Sequence, residues 1–285
     1  MRTLFAGIAT LLALLSPAAG RAGDALTMDG SETTRSLGQK WADAFKAKHP
    51  DASIHVAGNG ASTAFAALAA KRLDLVLIPR AIRFKEVEPC EAALGKRPPE
   101  FKVAVSGVAV YIHTNNPVQV LNYDELFNVF RGISTSWKQL GGNDTPLSVY
   151  VMGTNTLWGE LFNEEVLNGK GLLPDPAKSD PEKGPMAAIA KDPGGIGFGP
   201  FTTPPDGARF LSIKRSVSST PVDPSPDGIS NKIYPISRVV YCYAGATADS
   251  PSVKAFLDFI RSDEGQQVAA AAGFFPLPAK WRPAP

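Results

Sequence analysis

Short apolar runs alternate with amphipathic stretches through the first quarter of the chain. Leu37, Trp41 and Phe45 recur at helical spacing, whereas residues 73–78 are almost continuously apolar, as in a buried parallel strand. Between them, a short apolar run at 53–57 leads through a glycine-rich turn into an alanine-rich helical stretch. Residues 25–28 form a further short strand candidate before the first helix. The resulting order of strand, helix, strand, helix and strand predicts parallel strands with helices on the faces, an α/β fold.

The same patterns extend along the rest of the chain. They predict further strands at 103–113, 147–152 and 234–243, a short strand within the glycine-rich stretch 194–199, and further helices at 84–94, 123–130, 157–162, 251–260 and 264–272. Residues 169–183 and 216–232 are rich in proline and polar side chains and predict surface loops. The two long strands at 103–113 and 234–243 are expected to link two lobes as a hinge.

Three polar turns, at 30–34, 58–63 and 153–156, each follow a predicted strand and open a predicted helix. Ligands of open α/β sheets bind beyond the carboxyl ends of strands, and the free N–H groups of a helix N-terminus suit an anion. Ser62 or Thr63 is expected to cap the second of these helices. If the turns converge, they form a cradle for a small oxyanion. The candidate ligand-binding residues in these turns are Ser31, Glu32, Thr33, Gly60, Ala61, Ser62, Gly153, Thr154, Asn155 and Thr156.

The first 22 residues have the layout of a secretory signal peptide. Arg2 precedes a short apolar run, and small residues follow near a cleavage site. The run is too short to anchor the chain in a membrane, and no cysteine near the cleavage site offers lipid attachment. Removing residues 1–22 takes away two arginines and no acidic residue, which leaves 27 basic and 27 acidic residues. We therefore expect an exported protein without a membrane anchor, and its balanced charge gives no support for nucleic-acid binding.

Few residues of the chain predict chemistry other than binding. Cys90 and Cys242 are the two cysteines; in an oxidising compartment we expect a disulfide, and the alternative is two separate buried thiols. The three histidines lack the spacing of a metal site. No sequence signature of an activated nucleophile surrounds Ser62. We therefore expect no metal, no cofactor and no enzyme activity.

Several motifs, in the same order along the chain, resemble those of the phosphate-binding, type II periplasmic receptors of phosphate ABC importers. They lie at 30–34, 58–63, 74–76, 121–137, 195–198, 234–238 and 255–277 and cover most of the chain after the leader. The resemblance implies two lobes, each a mixed and mostly parallel sheet flanked by helices, joined by a two-strand hinge. Residues 23–108 together with 237–285 would form the first lobe, and residues 109–236 the second.

The resemblance also implies a function. The chain would be a monomeric exported receptor that captures a small oxyanion, phosphate first among them, between two lobes and delivers it to an ABC permease. Two other functions remain open at this point. One is a non-transport sensor or scaffold protein with the same fold and an altered ligand site, and the other is a phosphoester hydrolase.

The binding turns depart from the family pattern in three places. Glu32 stands where the family has a hydroxyl, and Thr154-Asn155-Thr156 replaces a Ser-Gly-Thr turn. The arginine that family members place shortly before that turn is missing, because residues 149–152 carry no cation. Arg80 is the candidate replacement, with an ordinary ion pair as the alternative. Glu32 could accept a hydrogen bond from a protonated oxyanion or pair with Arg80.

Overall fold

The computed structural model describes residues 25–151, 156–172, 177–178 and 184–282; the predicted signal peptide lies outside this part of the chain. Strands and helices alternate as far as residue 107 and less regularly after it. The strands, in chain order, are β1 (Leu26–Gly30), β2 (Ile54–Val56), β3 (Leu75–Ile78), β4 (Glu100–Gly107), β5 (Ala109–His113), β6 (Val120–Asn122), β7 (Ser148–Val151), β8 (Ala177–Lys178), β9 (Gly195–Gly199), β10 (Ala208–Phe210), β11 (Ser212–Lys214) and β12 (Ser237–Ala244).

The helices agree with the predicted ones to within a few residues at each end, apart from two that are new. They are α1 (Glu32–Lys48), α2 (Ala61–Ala69), α3 (Phe84–Leu94), α4 (Tyr123–Phe130), α5 (Leu157–Glu165), α6 (Gly184–Ile189), α7 (Pro226–Ser230), α8 (Pro251–Arg261) and α9 (Asp263–Ala271). No helix within the described ranges is both long and apolar enough to cross a membrane.

The first sheet has the order β2-β1-β3-β12-β4. Strands β1, β2 and β3 are parallel, as the alternation of strands and helices predicted, and β12 runs antiparallel to both β3 and β4. All four residues of β3 are buried, which explains the continuous apolar run there. Helix α1 packs on this sheet through Trp41, which is fully buried and donates a hydrogen bond of 2.7 Å from Nε1 to the Gly265 carbonyl of α9.

The second sheet has the order β10-β5-β9-β7-β8. Its β7 pairs in parallel with β8 and β9, and its β5 pairs antiparallel with β9 and β10. In its core, Phe162 of α5 stacks on Phe198 of β9, and Phe130 of α4 packs against both at an angle, so α4 and α5 both pack on β9. Each sheet is mixed, as expected, with two parallel and two antiparallel pairings. The expectation that the sheets are mostly parallel does not hold for these pairings, because β12 and β5 each join their sheet in the opposite direction.

The chain passes from one sheet to the other at two neighbouring points. The run predicted as one strand at 103–113 divides at Val108: β4 belongs to the first sheet and β5 to the second. The Val108 N–H donates a hydrogen bond of 3.0 Å to the Ile236 carbonyl, immediately before β12 returns to the first sheet. We keep the division into two lobes at residues 108 and 236 as a proposal, which the membership of the two sheets supports.

Two stretches predicted as loops contain short elements. Helix α7 lies in the serine- and proline-rich stretch 216–232, where Ser225 caps the helix and Pro226 occupies its first position. Strand β8 lies in the other predicted loop and extends the second sheet beside β7. The sequence did not predict either element, because a helix of about one turn and a strand of two residues are too short to show a periodicity.

The expected disulfide is wrong, because both cysteines are buried free thiols. Cys90 packs with Phe65 and Tyr243 against one face of the first sheet. Cys242 belongs to the hydrophobic cluster on the other face. Successive side chains of a strand point to opposite faces, so Cys242 and its neighbour Tyr243 point away from each other. The sheet therefore separates the two sulfur atoms.

Candidate functional site

A cleft of about 480 Å³ opens beyond the carboxyl ends of β1 and β3. It collects residues from the first two polar turns, from the segment after β3, from α5 and from β12. Its lining residues are Ser31, Glu32, Thr33, Gly60, Ala61, Ser62, Thr63, Pro79, Arg80, Arg83, Glu160, Glu164 and Arg238. The structure thus brings together the candidates of the first two turns and Arg80 in one place.

The first wall of the cleft is the N-terminus of α1. Ser31 caps this helix: its Oγ accepts a hydrogen bond of 3.4 Å from the Thr33 N–H and lies 2.8 Å from the Thr33 hydroxyl. The preceding Gly30 lies so close to β3 that a Cβ there would stand 1.8 Å from the Leu77 carbonyl oxygen. Glycine is therefore required at this turn, and the turn holds the start of α1 against the sheet.

The second wall is the N-terminus of α2, which has no side-chain cap. The capping position is Gly60, with φ +97°, so Ser62 and Thr63 lie inside the first turn and neither of them is the predicted cap. The first helical bond, from the Ala64 N–H, reaches the Gly60 carbonyl. Within the described part of the chain, the N–H groups of Ala61, Ser62 and Thr63 have no acceptor. Three amides and two hydroxyls are thus available at this end of the cleft.

A buried carboxylate fixes these two helix beginnings relative to each other. Asp29, at the end of β1, is 7% exposed. It accepts hydrogen bonds from the backbone N–H groups of Gly30 and Asn59 at 2.7 and 2.9 Å, and from the Asn59 side-chain amide at 2.9 Å. The Gly60 N–H also donates to the Gly30 carbonyl at 2.8 Å. The turns before α1 and α2 therefore form one hydrogen-bonded unit.

Arg80 lies in the cleft, but most of its guanidinium is engaged by protein. Its two terminal nitrogens donate to the two oxygens of Glu86 at 2.8 and 2.7 Å, and Nη1 also donates to the Ala81 carbonyl. Burial alone raises the pKa of the Glu86 carboxyl, but hydrogen bonds from Arg80 and the Arg83 N–H outweigh it and hold that pKa below its ordinary value. Arg80 is therefore matched by a buried carboxylate, which leaves little of its charge for an anion.

Pairing with Arg80, one of the two alternatives for Glu32, does not occur. Glu32 points to solvent with a side chain 70% exposed and lies 3.6 Å from Arg35, one turn along α1. The reason is local, because residues three apart on a helix are neighbours and Arg80 is already bound by Glu86. Glu32 therefore stands at the rim of the cleft, beside the start of α1.

The third turn lies mostly outside the described residues. Gly153, Thr154 and Asn155 are outside the described residues, so their role in binding stays a prediction. Thr156 caps α5, and its Oγ1 accepts a hydrogen bond of 3.1 Å from the Gly159 N–H. Thr156 is not among the residues that line the cleft. Helix α5 contributes Glu160 and Glu164 instead, further along its length.

The sequence analysis missed four charged residues of the cleft: Arg83, Glu160, Glu164 and Arg238. Together with Glu32 and Arg80 they give three carboxylates and three guanidinium groups, so the described lining of the cleft is neutral overall. Glu160 and Glu164 lie four apart on α5, and that spacing placed them on one helix face. Arg238 lies in a recognised motif, but nothing in its local sequence connects it to a turn two hundred residues earlier.

The fold and this cleft between helix beginnings are those of a binding protein, and comparison with known proteins agrees. A model described as the PBP superfamily domain matches residues 16–264, so the chain belongs to the PBP superfamily. The α/β fold with two mixed sheets and the family resemblance drawn from the sequence motifs are both confirmed.

Individual relatives match over most of their length. The chain is 29% identical to Protein SphX of Synechococcus elongatus over 265 residues, which cover 90% of this chain and 78% of that protein. It is 26% identical to the phosphate-binding protein PstS of Pseudomonas aeruginosa over 296 residues, which cover 96% of this chain and 91% of that protein. A crystal structure from Clostridium perfringens, described as a phosphate ABC transporter substrate-binding protein with bound phosphate, superposes with a TM-score of 0.60 at 26% identity and covers 90% of this chain and 100% of that chain.

Proposed function

We propose that this chain is an exported receptor that captures inorganic phosphate in the cleft and delivers it to an ABC permease. Relatives that match nearly the whole chain are described as phosphate-binding proteins, and one similar structure is described with bound phosphate. The signal-peptide layout of the first 22 residues supports export. The proposal includes a monomeric receptor whose role is binding and release, without catalysis.

The observation that carries the proposal is the open N-terminus of α2. Three consecutive N–H groups there have no acceptor among the described residues, and the capping residue is a glycine, which has no side chain to supply one. The positive end of the helix dipole and unpaired N–H donors together favour an anion of a few oxygen atoms. The hydroxyls of Ser31, Thr33, Ser62 and Thr63 in the same cleft add neutral donors.

The neutral lining of the cleft is compatible with this role. Each hydrogen bond to a charged ligand contributes about 1.5–3 kcal/mol, so several oriented donors bind an anion without a surplus of positive side chains. Helix beginnings on a rigid sheet are already oriented before the ligand arrives, which reduces the entropy lost on binding. The Asp29 hydrogen bonds provide that rigidity for α1 and α2.

Calorimetric titration of inorganic phosphate into the purified mature chain tests the proposal directly. We expect one saturable site per chain and a rise in the thermal unfolding midpoint. A ligand at about 100 times its Kd stabilises the folded state by about 2.7 kcal/mol. Sulfate at the same concentration serves as the comparison ligand. Absence of both heat and stabilisation with millimolar phosphate would rule the proposed function out.

A further inference from the structure

We infer that Arg238 is the side-chain cation that contacts the captured anion, and that Glu164 is the counterion which Arg238 exchanges for it. The inference rests on the proposed function. It gives Arg238 the role of ligand-binding cation, which the sequence analysis had given to Arg80. Arg238 lies in β12, beside Ser106 of β4 and close to the point where the chain crosses between the sheets. It lines the same cleft as the beginnings of α1 and α2.

The guanidinium of Arg238 is buried but incompletely paired. The residue is 6% exposed, and its Nη1 donates a hydrogen bond to the Glu164 carboxylate. Its Nη2 lies 4.0 Å from Glu160 Oε1, too far for a hydrogen bond. Within the described residues, neither Nε nor Nη2 has an acceptor. Buried donors without a partner are unfavourable, and those on a charged group especially so. An anion in the cleft is the acceptor that these groups lack.

The two other arginines of the cleft are in different situations. Arg80 is held by both oxygens of Glu86, a carboxylate with a side chain only 5% exposed. Arg83 is exposed to solvent, where water screens its charge. Only Arg238, among the described residues that line the cleft, combines burial with unpaired guanidinium donors. Its charge is therefore felt most strongly by a desolvated ligand.

Glu164 is suited to leave Arg238 when an anion arrives. Its side chain is 39% exposed, so the carboxylate can turn into water without being stranded in the interior. An anion beside the carboxylates of Glu160 and Glu164 would be repelled by both, since like charges a few Å apart disfavour each other. Displacing Glu164 removes one of these repulsions and frees Nη1 to donate to the ligand. The pair thus holds Arg238 in place before binding and competes with the anion for it.

Phosphate titrations by calorimetry on five purified chains test this inference. They are the wild type, Arg238→Met, Arg238→Lys, Glu164→Gln and the matched control Glu165→Gln. Glu165 is the last residue of the same helix and does not line the cleft. We expect Arg238→Met to weaken phosphate binding roughly 10- to 100-fold, with a smaller loss for Arg238→Lys. We expect Glu164→Gln to tighten binding roughly twofold to fivefold, and Glu165→Gln to leave it unchanged.

The outcomes separate this inference from the proposed function. If the wild type binds no phosphate, the proposed function fails and the inference fails with it. If the wild type binds and a folded Arg238→Met variant binds equally well, the inference alone is overturned. The same holds if Glu164→Gln cannot be distinguished from Glu165→Gln. Should Arg238→Met fail to fold, Arg238→Lys and the two glutamine variants decide, because they keep the charge of Arg238.

Discussion

Asp29 and Asp74 lie at opposite ends of the neighbouring strands β1 and β3, and each accepts hydrogen bonds from other residues at its own end. Asp29 stands near the end of β1 that faces the cleft and accepts three hydrogen bonds from Gly30 and Asn59. Asp74 precedes β3, away from the cleft, and accepts hydrogen bonds of 2.8 Å from both the N–H and the hydroxyl of Thr27. Because β1 and β3 are parallel, one carboxylate orders the binding edge of the sheet and the other the opposite edge.

Replacing Asp29 by asparagine is expected to weaken phosphate binding as well as stability. Asparagine would keep one oxygen for the two backbone N–H groups. It would lose the negative charge and the second oxygen, which now accepts the hydrogen bond from the Asn59 side-chain amide. Leaving buried groups unpaired costs about 1–3 kcal/mol, and the turn that begins α2 would lose its orientation. Calorimetric titration with phosphate and chemical denaturation of the same sample measure the two effects.

Asp74→Asn is the matched control for this prediction. It likewise removes the charge of a carboxylate that accepts hydrogen bonds on the same pair of strands, here from Thr27, but at the edge away from the cleft. We expect it to lower the unfolding midpoint while the phosphate Kd stays near that of the wild type. Equal losses of affinity in the two variants would show that Asp29 acts through global stability alone.

The open amides of α2 can be tested by removing one of them. Ala61 is the first residue of the helix, a position where proline fits the backbone and lacks only an N–H that the helix itself does not use. Ala61→Pro should therefore leave the fold intact and weaken phosphate binding about tenfold or more, the loss of one hydrogen bond to an anion. Titration calorimetry measures the affinity, and circular dichroism with thermal unfolding checks the fold.

Ala61→Gly is the control for Ala61→Pro, because it changes the side chain and keeps the amide. Its phosphate affinity should remain within about twofold of the wild type, because the N–H of residue 61 is kept. Glycine in a helix lowers the stability of the fold by about 1 kcal/mol without removing a donor. Wild-type affinity in a folded Ala61→Pro chain would mean that the Ala61 amide does not contact the ligand.

Stability should depend on pH through Glu86. Its carboxyl pKa is lowered below the ordinary value of 4.5, so the stabilisation it provides is complete above that pH and is lost as the pH falls through the lowered pKa. Glu86→Gln leaves Arg80 without its buried partner, which should cost roughly 3 kcal/mol at neutral pH. The difference between the two chains should shrink steadily below about pH 4.5. Urea denaturation at pH 7, 5, 4 and 3 measures this difference; a constant difference would contradict the prediction.

The local features of the site could be predicted from the sequence because they depend on neighbouring residues. Ser31 is a good helix cap and follows a strand, and Gly60 lies in a glycine-rich turn before an alanine-rich helix, so both turns were readable. Parallel pairing of β1 and β2 then required the two turns to meet at one edge of the sheet. These inferences need only local pattern and the geometry of parallel strands.

The partners of the charged residues could not be predicted in the same way. Arg80 binds Glu86, six residues away, because α3 turns back over the end of β3, and no periodicity specifies that turn. Arg238 reaches Glu164 only because two sheets pack around one cleft. The two cysteines lie on opposite faces of the first sheet, and the register of β12 determines which face Cys242 occupies. Long-range packing decides all three.

The separation of the two cysteines leads to a last prediction. Burial raises the pKa of Cys242 to about 12, and burial, followed by the negative charge of Glu86, raises that of Cys90. The thiolate is the reactive form, so both groups should react slowly with a disulfide reagent such as Ellman's reagent at pH 8 while the chain is folded. Denaturant without reductant should then expose two reactive thiols per chain. The Cys90→Ala chain should expose one reactive thiol, which checks the number of thiols counted by the reagent. A denatured wild-type chain without reactive thiols would show that Cys90 and Cys242 are bonded.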